Sequence, residues 1–81
     1  MTQQEFNENF AKNLKEFRLR KGFKQWQIAE KLNIDRSTYS YYELGESHPP
    51  LYTLMRIAKL LEVTIDELFG EPRLSRRFTD E

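Results

Sequence analysis

Residues 25–45 read QWQIAEKLNIDRSTYSYYELG and contain two short helical patterns separated by a tight turn. Ile28 and Leu32 belong to the apolar stripe of the first pattern and are spaced as neighbours on one helix face. Asn33 follows, and asparagine tolerates the left-handed backbone conformation that a tight turn needs. Asp35 is a common N-cap residue, which indicates that a new helix begins directly after it. We therefore expect a helix over residues 25–32, a turn over residues 33–35 and a helix over residues 36–43.

A longer helix is predicted before this stretch. Phe6, Phe10 and Leu14 recur every four residues, which places them on one helix face. Gly22 follows at a position where helices commonly end in the left-handed conformation. We expect this first helix over residues 6–21, after an N-terminal tail formed by residues 1–5.

Two further helices are predicted after Gly45. The fourth covers residues 51–61, and its expected buried face comprises Leu51, Leu54, Ile57, Ala58 and Leu61. Thr64 and Glu67 have the spacing of a capping box, which indicates the start of a short fifth helix that ends at Gly70. Residues 71–81 are expected to form a C-terminal tail that is either disordered or part of a dimer interface.

The composition restricts the class of protein. The chain has 81 residues with no cysteine and one histidine, so it predicts one domain without disulfides, a structural metal or a cofactor. The N-terminus has no basic region followed by an apolar run, as a secretory signal would have. No apolar run approaches the roughly 20 residues that span a membrane. We therefore expect a soluble, cytoplasmic protein.

Charge is unevenly distributed along a chain whose formal net charge is zero. Residues 11–36 contain eight basic and three acidic residues, a net charge of +5, whereas residues 63–72 contain three acidic residues and no basic one. A neutral chain can present one basic face to a polyanion. The alternative, that these charges simply solvate helix surfaces, stays open at this point.

A series of residues at fixed spacing runs from the first predicted helix to the fifth. It comprises Arg18, Gly22, Gln25, Ile28, Ala29, Lys31, Leu32, Ser37, Thr38, Tyr42, Glu43, Gly45, Pro49, Leu51, Leu54, Ile57, Ala58, Leu61, Val63, Asp66, Glu67 and Leu68. In this order and spacing, residues 10–70 resemble the lambda-repressor-like, Cro/cI-type helix-turn-helix family. The resemblance implies an all-α, compact five-helix domain over residues 6–70, with the helix-turn-helix formed by helices 2 and 3. It also implies sequence-specific binding of double-stranded DNA and a role as a transcriptional regulator.

The resemblance also implies which residues contact DNA, since helix 3 of such proteins lies in the major groove. Tyr39 and Tyr42 are three residues apart and should face the core. The base-contacting residues are then Arg36, Ser37, Ser40 and Tyr41, although Arg36 has the alternative of a phosphate contact. The implied phosphate contacts are Lys24, Gln25, Trp26 and Thr38. Gln25 should also support the start of helix 3, and Trp26 has the alternative of a half-buried surface aromatic.

Arg18 and Glu43 have a different implied role. The family pattern holds arginine and glutamate at these positions as an internal ion pair that joins helix 1 to helix 3. The loop after helix 3, which is often basic in the family, contains Glu46 and His48 here. This departure weakens the expectation of a phosphate contact by that loop.

A dimer is expected because one recognition helix reads only a few base pairs, and family members commonly bind palindromes as homodimers. Apolar residues late in the chain, Phe69, Leu74 and Phe78, are the predicted dimer interface. The alternative is a frayed tail in which Leu74 and Phe78 have no role. A toxin or another regulatory protein is a further expected partner, and repressor, restriction-modification controller and antitoxin all remain open as roles.

The sequence bears on two other classes of function besides DNA binding, an enzyme and a protein–protein interaction module. An enzyme is not expected, because no serine has a histidine and an acid at a recognisable spacing, and His48 lies beside two prolines. A protein–protein interaction module that uses the same fold without DNA is the stronger alternative. Tyr41 and Leu44 on helix 3 favour that module, whereas Arg36, Ser37 and Ser40 favour DNA.

Overall fold

The computed structural model describes residues 2–70, and the regular structure in this range consists of five α-helices. The helices are α1 (Gln3–Arg20), α2 (Gln25–Leu32), α3 (Arg36–Leu44), α4 (Leu51–Leu61) and α5 (Ile65–Phe69). α1 packs against α3 and α5, α2 packs against α3 and α4, and α4 also contacts α5. The predicted all-α, five-helix fold is confirmed.

α1 begins three residues earlier than the sequence periodicity predicts. The Thr2 hydroxyl accepts a hydrogen bond from the Glu5 N–H at 3.1 Å, and the Glu5 carboxylate accepts one from the Thr2 N–H at 2.9 Å. This capping box satisfies two N–H groups that a helix start leaves without partners. Residues 3–5 are therefore helical, and the prediction of a tail over residues 1–5 was wrong for them.

The turn between α2 and α3 has the predicted conformation. Asn33 is left-handed with φ of 58°, and its N–H donates to the Glu30 carbonyl at 3.1 Å. Ile34 then donates its N–H to the Ala29 carbonyl and packs against the core. Asp35 occupies the N-cap position of α3, but its side chain accepts no hydrogen bond from the first turn. The backbone of the turn, more than the Asp35 carboxylate, thus sets where α3 begins.

One core holds the five helices together. The largest side chains with relative exposure below 2% come from all five helices: Phe10, Leu14, Ile28, Tyr39, Ile57 and Leu68. Phe69 stacks on Phe10 with ring centroids 4.7 Å apart and on Phe6 at 5.0 Å. Stacked rings at this separation add stabilisation to the burial of their area. These aromatic contacts help to hold the short α5 against α1.

The predicted burial of Leu51 is wrong, since 72% of this side chain is exposed. Ile57, Ala58 and Leu61 are buried, as predicted for α4. Leu51 is the first residue of α4, and side chains on a helix tilt toward its N-terminus. Its side chain consequently projects beyond the end of the helix instead of onto the core.

Asn13 is a buried polar residue in the apolar face of α1, at 5% exposure. Its Nδ2 donates to the carbonyl oxygens of Glu67, Leu68 and Gly70 at 3.4, 3.0 and 2.7 Å. The last carbonyls of a helix have no partner within it. Asn13 therefore caps the C-terminal end of α5 from a different helix.

We expect Asn13→Ala to lower the free energy of unfolding by about 1–3 kcal/mol, the cost of leaving buried carbonyls without a donor. Urea unfolding followed by circular dichroism measures this effect. Gln4→Ala is the control, because it removes an exposed side-chain amide from the same helix. Equal stability of the Asn13 and Gln4 variants would contradict a capping role for Asn13.

Candidate nucleic-acid interface

The two faces of α3 differ in chemistry. Tyr39 and Tyr42 are 0% and 4% exposed and lie in the core, with their ring centroids 6.2 Å apart in an edge-to-face arrangement. The solvent side carries the predicted base contacts: Arg36, Ser37 and Tyr41 are exposed, and Ser40 is partly exposed. This side offers a guanidinium, two aliphatic hydroxyls and a phenol, which are groups that form hydrogen bonds with base edges.

Of the residues predicted to contact phosphates, Lys24, Gln25 and Trp26 lie at the start of α2, and Thr38 lies in the first turn of α3. Lys24 and Trp26 are exposed, with 53% of Trp26 accessible, whereas Gln25 and Thr38 are partly exposed. The Lys24 N–H donates to the Gln27 carboxamide oxygen at 2.8 Å, and this hydrogen bond restrains the backbone of Lys24 directly before α2. The N-terminus of a helix carries the positive end of its dipole. A lysine and a carboxamide thus lie beside a helix end that favours anions.

Behind these surfaces, Glu43 connects three helices. The Arg18 Nε and Nη2 atoms donate to the Glu43 carboxylate at 2.5 and 3.1 Å, and both side chains are less than 10% exposed. Gln25 Nε2 donates to Glu43 Oε1 at 3.0 Å, and the Tyr39 hydroxyl donates to Glu43 Oε2 at 2.6 Å. We call Arg18, Gln25, Tyr39 and Glu43 the Glu43 junction.

The Glu43 junction also holds the connection between α1 and α2. Arg18 Nη1 donates to the Phe23 carbonyl at 2.8 Å, so one guanidinium contacts both α3 and this connection. Burial alone would raise the pKa of Glu43, but hydrogen bonds from Arg18, Tyr39 and Gln25 outweigh it and lower that pKa. The hydrogen bond with Glu43 raises the pKa of Arg18, and burial raises the pKa of the Tyr39 hydroxyl. The junction therefore holds a carboxylate, a guanidinium and a neutral phenol at neutral pH.

Comparison with known proteins identifies the family. A family model described as helix-turn-helix matches residues 14–68, from the middle of α1 to the end of α5. The chain belongs to this helix-turn-helix family of transcriptional regulators. The resemblance inferred from the sequence is thereby confirmed, and the matched region contains α2, α3 and the complete Glu43 junction.

Individual relatives of the helix-turn-helix chain agree with this assignment. An uncharacterized HTH-type transcriptional regulator of Bacillus subtilis, YqaE, is 39% identical over 72 residues, which cover 89% of this chain and 62% of that regulator. The chain thus spans less than two thirds of the length of this relative. The restriction-modification controller protein C.AhdI from Aeromonas hydrophila superposes with a TM-score of 0.71 at 30% identity, over 78% of this chain and 96% of that one.

A further solved structure, the hypothetical transcription factor NHTF from Neisseria, matches more closely in shape than in sequence. Its TM-score is 0.82 at 24% identity, over 96% of this chain and 90% of that one. At this identity the likeness supports the helix-turn-helix fold alone.

Residues 2–70 contain no helix long and apolar enough to cross a membrane, and no cluster of three or more acidic, histidine or cysteine side chains placed to hold a metal ion.

The position of Gln25 differs from the sequence-based expectation for a helix-turn-helix protein. Gln25 was expected to support the start of helix 3, but its carboxamide binds Glu43, near the C-terminal end of α3. Two hydrogen bonds were also not predicted: the one from the Tyr39 hydroxyl to Glu43 and the one from Arg18 to the Phe23 carbonyl. The four-residue spacing of Tyr39 and Glu43, which makes them neighbours on one helix face, was an available signal for the first.

Acid should destabilise the helix-turn-helix domain through Glu43. Folding lowers the pKa of Glu43 from its ordinary value of 4.5. The ionised carboxylate therefore contributes its full stabilisation when the pH is above the pKa of Glu43 in the unfolded chain. This stabilisation is lost as the pH falls through the pKa of Glu43 in the folded chain. We expect the unfolding free energy to decrease on acidification below about pH 5. Glu43→Gln should reduce the slope of the unfolding free energy against pH by up to about 1.4 kcal/mol per pH unit, which is the value for one proton. Urea unfolding at several pH values measures it, and identical slopes would contradict the assignment.

Proposed function

We propose that this chain regulates transcription by binding specific sequences of double-stranded DNA, with α3 in the major groove. The observation that carries the proposal is the polar solvent face of α3, which is opposite two buried tyrosines and is braced by the Glu43 junction. A major groove accepts one α-helix and displays a distinct pattern of donors and acceptors for each base pair. A short, rigidly supported helix with an exposed polar face fits that requirement.

Each residue on the solvent face of α3 has a chemical role in this proposal. Arg36, in the first turn, donates two hydrogen bonds to a guanine. Ser37 and Ser40 bond several bases and add little specificity by themselves. Tyr41, at 49% exposure, packs on a thymine methyl group and donates its hydroxyl. Arg36 therefore supplies most of the discrimination between sequences.

Phosphate contacts around α2 fix the position of α3 in the groove. Lys24 supplies a positive charge, Gln25 and Thr38 supply polar side chains, and Trp26 supplies its indole N–H. The first N–H groups of α2 and its dipole add to the attraction for a phosphate. These contacts carry no sequence information, so they should contribute equally on all duplexes.

The proposed DNA complex contains two copies of the chain on a palindromic operator. The expected interface includes Phe69, Leu74 and Phe78, of which Leu74 and Phe78 lie outside the described residues. Phe69 is partly buried and stacks on two phenylalanines of its own chain, so its edge is what a second copy would contact. In the cell we place the chain in the cytoplasm, on the nucleoid when it is bound to DNA.

The dimer predicts a concentration-dependent sedimentation coefficient. The full chain should sediment as a monomer–dimer equilibrium, whereas a chain ending at Gly70 should shift toward monomer because it lacks Leu74 and Phe78. Binding of a palindromic duplex should be cooperative for the full chain. A full chain that remains monomeric at high concentration, and binds a palindrome without cooperativity, would rule out this dimer.

A second candidate function, docking of a regulatory protein such as a toxin, is favoured by exposed apolar residues. Leu51, Tyr52 and Met55 on α4 are 72%, 74% and 58% exposed, and Leu44 at the end of α3 is 64% exposed. Contiguous exposed apolar groups often mark protein interaction sites. This function is compatible with DNA binding, because Leu51, Tyr52 and Met55 belong to a different helix from the proposed base contacts.

Selection of binding sites from a random duplex pool, followed by fluorescence anisotropy, tests the proposed function. The full chain should enrich a recurrent motif and bind it more tightly than random duplex. Its affinity for both should fall linearly with salt concentration on a logarithmic scale, because bound phosphates release counterions. A folded chain that binds neither the enriched pool nor random duplex at low salt would contradict DNA binding and favour the protein-docking function.

A further inference from the structure

The Glu43 carboxylate uses its acceptor capacity fully. It accepts four hydrogen bonds, two from Arg18, one from Gln25 and one from Tyr39. A carboxylate offers about four acceptor positions. Each donor therefore restricts the orientation in which the carboxylate meets the other donors.

Tyr39 holds one side of this carboxylate. Its hydroxyl donates to Oε2, the oxygen that also accepts from Arg18 Nε, while Oε1 accepts from Arg18 Nη2 and Gln25. Tyr39 is fully buried, so water cannot replace its hydroxyl without a change in packing. The hydroxyl consequently limits rotation of the carboxylate and keeps Oε1 directed at Gln25.

Gln25 connects this buried site to the surface. One N–H of its carboxamide is used by Glu43, and a carboxamide has a second N–H donor. Gln25 is partly exposed and is the first residue of α2, where the helix dipole favours an anion. A side chain anchored at one N–H presents the other in a fixed direction.

We propose that Tyr39 is a positioning residue for the contact between Gln25 and a DNA phosphate, acting through Glu43. This inference rests on the proposed function. The hydroxyl of Tyr39 orders the Glu43 carboxylate, the carboxylate orders the Gln25 carboxamide, and the ordered carboxamide donates to the phosphate. Ordering a side chain before binding reduces the entropy lost when the complex forms.

Tyr39→Phe tests the proposal, because it removes the hydroxyl and keeps the buried ring. Tyr42→Phe is the matched control: Tyr42 is also buried on α3, and its hydroxyl donates no hydrogen bond to a residue within 2–70. Affinity for duplex DNA is measured by anisotropy at a temperature where circular dichroism shows each variant folded. We expect Tyr39→Phe to weaken binding about 3- to 10-fold, the effect of one unrestrained side chain, and Tyr42→Phe to bind like the wild type.

A double-mutant cycle with Gln25→Ala separates positioning from a general loss of structure. Gln25→Ala should weaken DNA binding strongly in the wild-type chain and much less in the Tyr39→Phe chain, because the ordering is already lost there. Equal effects of Gln25→Ala in both chains, or wild-type affinity of Tyr39→Phe, would overturn the proposal. Failure of the wild type itself to bind duplex DNA would instead contradict the proposed function.

Nuclear magnetic resonance of the wild-type chain provides a measurement that does not depend on folding of the variants. The side-chain amide of Gln25 should be rigid on the nanosecond timescale, with an order parameter similar to that of the folded backbone. An order parameter below about 0.6, the range of flexible groups, would overturn the positioning role even if Tyr39→Phe did not fold.

Discussion

Replacement of Glu43 by alanine is expected to lower the free energy of unfolding by about 3–5 kcal/mol, the cost of removing one partner of a buried ion pair. The Arg18 side chain is 8% exposed and would lose both of its contacts with α3. Tyr39 and Gln25 would lose their acceptor at the same time. The loss is a large fraction of the stability of a typical small domain.

Urea unfolding with Glu16→Ala as the control measures this effect. Glu16 also forms an ion pair with an arginine, Arg20, at 2.8 Å, but these side chains are 51% and 66% exposed. An exposed pair contributes at most about 1 kcal/mol, so the control should be nearly as stable as the wild type. Similar stability of the Glu43 and Glu16 variants would show that burial does not increase the contribution of the Arg18–Glu43 pair to the free energy of unfolding.

Arg36→Ala is expected to weaken binding of the preferred duplex by about 1–3 kcal/mol for each half-site, which is roughly 5- to 150-fold. The reason is that a guanidinium which donates two hydrogen bonds to a guanine discriminates against the other bases. The variant should therefore also accept more bases at one position of the half-site. Its stability should change by no more than about 0.5 kcal/mol, because Arg36 is exposed.

Arg20→Ala distinguishes a specific contact from the loss of one positive charge. Arg20 is an exposed arginine on α1, so this control removes the same charge from a different helix. Binding-site selection and anisotropy with both variants measure affinity and specificity together. Equal losses for the two variants on all duplexes would identify Arg36 as a source of charge and contradict its role in base recognition.

Most of the fold follows from patterns that are local in the sequence. The stripe of Phe10 and Leu14 predicted α1, and both residues are buried. Asparagine tolerates the left-handed conformation, so Asn33 predicted the turn before α3, where it is indeed left-handed. The spacing of Tyr39 and Tyr42 predicted the buried face of α3 and thus its solvent face. These features were predictable because helix periodicity and turn conformation depend on residues within a few positions of each other.

The tertiary structure decided the features that join distant parts of the chain. The role of Asn13 was not predicted, because its acceptor on Gly70 lies 57 residues away in the chain. The Arg18–Glu43 pair was implied by the family resemblance, whereas the meeting of Gln25 and Tyr39 at the same carboxylate depends on how α1, α2 and α3 pack. At Leu51 the sequence pattern was misleading. Its spacing matches the buried face of α4, but the side chain is exposed because it lies at the edge of the core.

The physical reason is the range of the interactions. The sequence by itself determined the family, the five helices and most of their buried faces, because backbone hydrogen bonds and apolar periodicity act between near neighbours in the chain. A buried polar side chain must find a partner somewhere, but its residue type does not specify which donor or acceptor is within hydrogen-bonding distance. Only the packing of α1 and α2 against α3 decided that Glu43 accepts from three side chains, and only the packing of α1 against α5 decided that Asn13 caps α5.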